Sequence, residues 1–148
     1  MAELIYAYIC FQKNLKMDWS ILFIGMYLPD TNIEIICGYP AIYIKDIDTM
    51  VISDTHLGYE SIMTEQGVYI PKIQLDRTVE LMTKILHHRN ANRIVIDGDV
   101  KHEFSKTGYH EFVEVKIFFE FLKKHFREIV LIRGNHDNFL HRIADRFN

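Results

Sequence analysis

Met50-Val51-Ile52-Ser53-Asp54-Thr55-His56 is one of three stretches built to the same plan. The others are Arg93-Ile94-Val95-Ile96-Asp97-Gly98-Asp99-Val100-Lys101-His102 and Ile129-Val130-Leu131-Ile132-Arg133-Gly134-Asn135-His136-Asp137. In each, a run rich in Val, Ile and Leu ends abruptly in Asp, His or Asn. Apolar runs of this kind are the signature of strands buried on both faces of a parallel sheet. Sites in such sheets lie beyond the carboxyl ends of the strands. Carboxylate, imidazole and amide oxygen together ligate hard or borderline divalent cations.

Helical periodicity fills the gaps between the three runs. Ile73, Val79, Leu81, Met82, Ile85 and Leu86 recur at helical spacing over Ile73 to about Arg89, with Pro71 ahead of the start. Phe112, Val115, Phe119 and Leu122 mark one face of a helix predicted from Tyr109 to about Phe126. Asn138 to Phe147 reads as the opening of a further helix. From the first motif onward the order is therefore β-α-β-α-β-α, and right-handed crossovers place all three motifs on one edge of the sheet. Upstream, residues 19–28, 33–37 and 41–44 read as short strands separated by Pro29-Asp30-Thr31-Asn32 and Gly38-Tyr39-Pro40 turns.

Composition narrows the class. The chain has 148 residues, 49% of them hydrophobic and 25% charged, as expected of one globular domain. A net charge of −3 gives no global attraction to nucleic acid, so a polyanion would need local cations or metal ions. Cys10 and Cys37 are not in a C-x-x-C pair and read as free, buried thiols of a reducing compartment. Glu3 precedes the first apolar run with no basic residue, unlike a secretory signal. The apolar run Trp19 to Leu28 is far shorter than the roughly 20 residues that span a bilayer. A cytoplasmic location without membrane contact is expected. Residues 1–16 read equally as an extra edge strand or as an extension upstream of a start at Met17.

Two cations about 3.5–4 Å apart need a bridging carboxylate, terminal ligands and open positions for water and phosphate. Asp54 and His56, two apart on an extended chain, face one side and could chelate one ion. Asp99, at the tip of the neighbouring strand, is the natural bridge. Asn135 offers an amide oxygen to the second ion, and His136, one residue on, points towards substrate. Taken singly, each motif reads as well as a helix cap or a capped turn. The three together in this order are what the metal reading explains.

The ordered set D-x-H, G-D and G-N-H-D resembles the calcineurin-like metallophosphoesterases. The likeness runs over about residues 38–140 and is strongest to the ICC-like, ligase- and helicase-associated branch. It is carried by Gly38-Tyr39-Pro40-Ala41-Ile42-Tyr43, Ser53-Asp54-Thr55-His56-Leu57-Gly58-Tyr59-Glu60, Glu65-Gln66-Gly67-Val68-Tyr69-Ile70-Pro71, Gly98-Asp99-Val100-Lys101-His102-Glu103-Phe104 and Arg133-Gly134-Asn135-His136-Asp137. The resemblance implies part of an α/β/β/α sandwich, with strands 50–53, 93–97 and 129–132 parallel. It makes Asp54, His56, Asp99 and Asn135 metal ligands and His136 the residue acting on phosphate or leaving group. It implies Mn²⁺ as the usual metal, with Mg²⁺, Fe or Zn²⁺ as alternatives. Phosphatase-type members carry Asp where this chain has His102. G-D-x-x-H is similar to the nuclease-type members, in which that His works beside the G-N-H histidine.

The expected activity is hydrolysis of phosphodiesters in nucleic acid or nucleotides by attack of a metal-held hydroxide. The resemblance also calls for an isolated His and a G-H-x-H further on, and no G-H-x-H occurs in these 148 residues. A single shortened domain, about two-thirds of a family domain, is therefore expected. It would bind one ion well, with low activity or a role as a binding or assembly module. His141 is a poor substitute ligand on a helix leading away. An uncovered sheet face, with self-association or a partner chain such as a helicase or ligase, is a further expectation. Lys101 and Arg133 are candidates for phosphate clamps or ordinary surface ion pairs. His87, His88, His110 and His125 read as helix-surface residues, and Tyr59 and Glu60 as candidates to shape the substrate mouth.

Overall fold

The computed structural model describes residues 26–28, 30–102 and 109–137. Within them lies a six-stranded sheet in sequence order, from β1 (Met26–Tyr27), β2 (Ile33–Ile35), β3 (Ala41–Ile44) and β4 (Thr49–Ser53) to β5 (Arg93–Asp97) and β6 (Glu128–Ile132). The first three pairings are antiparallel; β4–β5 and β5–β6 are parallel. Three α-helices, α1 (Tyr59–Glu65), α2 (Gln74–His88) and α3 (Tyr109–His125), and a short 3₁₀ helix at Lys45–Ile47 complete the described fold. The two long helices and the parallel strands follow the sequence reading closely. The expected strand over 19–28 is described only at Met26–Tyr27, and the expected helix from Asn138, with His141, lies outside the described residues.

Register decides which side chains meet. Ser53 pairs with Asp97, and Asp97 with Ile132, so β4, β5 and β6 end level with one another. One sheet face carries Met50, Ile52, Ile94 and Ile96, all buried against Met82, Ile85 and Leu86 of α2 and Val115, Phe118, Phe119 and Leu122 of α3. The helices bury the stripes their periodicity announces. The opposite face aligns Ile35, Ile42, Val51, Val95 and Val130 across five strands. These five are half-buried and none belongs to that core.

Two polar ties fix the frame. Asp48, in the left-handed region at φ 45°, accepts hydrogen bonds from the Tyr43 hydroxyl (2.8 Å) and the Asn92 amide (3.1 Å). Those bonds hold its carboxyl below the usual carboxylate range, the Tyr43 bond contributing most. They also anchor the start of β5 beside β4. At the other end of α2, Arg89 donates to the buried Glu34 of β2 at 2.6 Å and lies over the Tyr43 ring. Arg89→Met should lower stability by about 1.5–3 kcal/mol, because Glu34 stays buried without its guanidinium. Urea midpoints would measure this. The pair Glu34→Leu with Arg89→Leu should recover most of the loss, and a pair as unstable as the single change would show that the contact is not electrostatic.

Candidate functional site

Beyond the sheet the chain does not splay apart. The Asp54 amide donates to the Gly98 carbonyl (3.3 Å), His56 to Asp99 (2.9 Å), Leu57 to Val100 (2.9 Å), and His102 back to Leu57 (3.0 Å). The first two motif loops thus continue the parallel ladder as loops, closed by a Leu57–Lys101 bridge. The Gly98 amide donates to the Ile132 carbonyl at 3.0 Å, which brings in the third.

This ladder corrects one step of the sequence argument. Asp54 and His56 are not on an extended chain: their φ angles are 53° and 42°, and Asp99 has 49°. All three lie in the left-handed region, which costs a non-glycine residue roughly 1–2 kcal/mol, with Asp more tolerant than His. The side chains nevertheless converge. His56 Nε2 lies 4.0 Å from Asp54 Oδ1 and 3.9 Å from Asp99 Oδ2. Each of the three residues offers one donor atom, all within 4.8 Å of one another. Two carboxylates and one imidazole fit a hard or borderline divalent cation such as Mn²⁺. His56 Nδ1 is buried and has no hydrogen-bond partner among the described residues, so no outer neighbour fixes its tautomer.

The other imidazoles gather at the same edge. Ring centroids of His102 and His136 are 5.4 Å apart, and His56 lies 5.3 Å from His102 and 5.1 Å from His136. His136 Nδ1 lies 2.6 Å from the His102 carbonyl. A carbonyl only accepts, so Nδ1 carries the proton and Nε2 is the acceptor nitrogen of the neutral ring. The Tyr59 ring meets His102 edge-on at 4.8 Å. Asn135 is exposed on the same loop, next to His136.

A family model described as Metallophos, calcineurin-like phosphoesterase, matches residues 47–148, most of the chain. The chain belongs to the calcineurin-like phosphoesterase family. Among solved structures it is similar to the Pseudomonas putida nuclease MPE, with a TM-score of 0.53 and 20% identity. That match covers 77% of this chain and 51% of the nuclease, so this chain spans about half of its neighbour's length. At this identity the likeness is one of fold. A comparison with curated proteins finds no match.

Several residues that build the site escaped the sequence reading. Asp137 is 1% exposed, and its carboxylate accepts from the amides of Val100 (2.9 Å), Lys101 (3.3 Å) and Gly134 (2.9 Å). It therefore locks the second and third loops together; the capped-turn reading of G-N-H-D holds for this residue. Gln74 donates its amide to the carbonyls of Thr55 and His56, each at 2.9 Å. Glu60 accepts from the Ile73 and Gln74 amides, capping α2 from another helix. Glu60 is buried and so engaged, and it lines a surface cavity together with Tyr59, Pro71 and Gln74. No local signal marks Gln74, because it acts across the fold. Lys101 is also corrected: it is fully buried, not a surface ion-pair residue or an exposed clamp. Arg133 is exposed, as are His87, His88 and His125, while the side chains of His110 and Cys10 lie outside the described residues. Cys37 is half-buried and free.

Gly134 is fixed by space. A Cβ there would collide with the Asp99 carboxylate and its backbone amide. Gly134→Ala should cost about 1–3 kcal/mol of stability, seen as a lower thermal midpoint, and displace Asp99 from His56. An unchanged midpoint with full Mn²⁺ binding would mean that the two loops approach less closely.

Proposed function

We propose that the chain is a metal-dependent phosphodiesterase of nucleic acid or nucleotides. Asp54, His56 and Asp99 are its principal ligands, Asn135 lends an amide oxygen, and His102 and His136 face the phosphate. The observation that carries this reading is the convergence of a carboxylate–imidazole donor group and two further imidazoles at the ends of adjacent parallel strands. Mn²⁺ is the expected ion. A divalent cation held there would neutralise phosphate charge and make a nucleophile available near neutral pH.

The chain's own groups then orient and protonate. With Nδ1 committed to the His102 carbonyl, His136 directs Nε2 at the substrate; protonated, that nitrogen donates to a phosphate or leaving-group oxygen. His102, held between the Tyr59 edge and the His136 face, supplies a second donor. The G-D-x-x-H spacing and the nuclease neighbour favour phosphodiesters over phosphoprotein. The ligase- and helicase-associated resemblance makes a DNA-processing partner the proposed setting.

Hydrolysis of bis-p-nitrophenyl phosphate with Mn²⁺ tests this directly. Turnover should disappear with EDTA and return with Mn²⁺. His136→Ala should lower it by roughly 10²–10⁴-fold. Turnover indifferent to EDTA would remove the metal from the mechanism.

A further inference from the structure

The three imidazoles make a geometry that the phosphodiesterase reading does not need. An imidazole bound through nitrogen at about 2.0–2.1 Å has its ring centre about 3.2 Å from the ion, so two such rings at a tetrahedral angle lie about 5.2 Å apart. The three centroid separations here are 5.1, 5.3 and 5.4 Å. One ring nitrogen from each of His56, His102 and His136 lies within 4.8 Å of the other two. Small ring rotations bring such nitrogens to the roughly 3.4 Å spacing of a tetrahedral site. His136 also has Nδ1 on a backbone carbonyl, the arrangement that orients a metal-binding imidazole and assigns ligation to Nε2. All three rings are half-buried.

We propose that His56, His102 and His136 form a second, imidazole-only metal site that takes Zn²⁺ in preference to Mn²⁺. Imidazole suits zinc and its late first-row neighbours, whereas Mn²⁺ favours oxygen donors and stands lowest in the divalent series. The two donor groups share His56, so the ions compete. Zinc in the imidazole group occupies both phosphate-facing rings, His102 and His136, and holds the chain inactive. The site stands on the ring geometry alone and is independent of the substrate assigned above.

Calorimetric titration of the metal-free protein with ZnCl₂ tests it. The wild type should bind one Zn²⁺ per chain, and Co²⁺ in its place should give the strong visible absorption of a four-coordinate, nitrogen-rich ion. His102→Gln and His136→Gln should each weaken Zn²⁺ binding by about 100-fold or more. Asp54→Asn should spare Zn²⁺ and weaken Mn²⁺, and far-UV circular dichroism should show all three variants folded. Adding Zn²⁺ to the Mn²⁺-loaded protein should release Mn²⁺. Zn²⁺ binding that survives both His changes and falls with Asp54→Asn would place the ion on the carboxylates and overturn the proposal. So would a wild type with no one-to-one Zn²⁺ site, or a Co²⁺ spectrum of the weak, six-coordinate kind.

Discussion

Asp99→Asn should reduce Mn²⁺-dependent turnover of bis-p-nitrophenyl phosphate by about 10³-fold, to background. Asp99 Oδ1 accepts the His136 amide at 2.9 Å, and Oδ2 turns towards His56. Asn keeps an oxygen for the amide and tolerates the left-handed backbone that Asp99 adopts. What it removes is one negative charge from a donor group holding two. The fold should therefore survive, and relief of the Asp54–Asp99 repulsion should leave the metal-free protein no less stable. Mn²⁺ affinity should fall by about 100-fold or more. Persistent turnover in Asp99→Asn would locate the chemistry elsewhere.

Asp137→Ala should be the most destabilising single change in the site, by about 3–5 kcal/mol. Three backbone amides from two loops converge on this carboxylate, and Ala would leave them buried without an acceptor. A domain of this size has only about 5–15 kcal/mol to lose. Asp137→Asn should be milder, because its oxygen still accepts while its amide nitrogen faces an N–H. Urea unfolding of both variants would order them. Equal losses would mean that shape, not acceptor count, sets the role of Asp137.

The parallel half of the fold was legible because strand and helix periods alternate from Met50 to Ile132 with few exceptions. The candidate metal group was legible for a different reason: strands that end level must bring their terminal residues together. What stayed hidden depends on contacts distant in sequence. α1 lacks a side-chain cap of its own, and its residue Glu60 serves another helix. Gln74 supports His56 from eighteen positions away. Lys101 is fully buried and its backbone bridges to Leu57, a pairing outside any run of strand-like text. Asp54 and His56 do lie together, but not on the extended backbone the sequence suggests, which ends where the strand stops.

That backbone bears on how such a chain would drift over generations. Glycine would relax the left-handed positions at residues 54, 56 and 99, and Asn would suit them better than His. A lineage selected for folding alone would be expected to soften these three first, gaining roughly a kilocalorie per mole at each. Asp30 and Asp48 share the left-handed region away from this edge, so strain alone marks no site; what sets residues 54, 56 and 99 apart is that three such positions converge on one donor group.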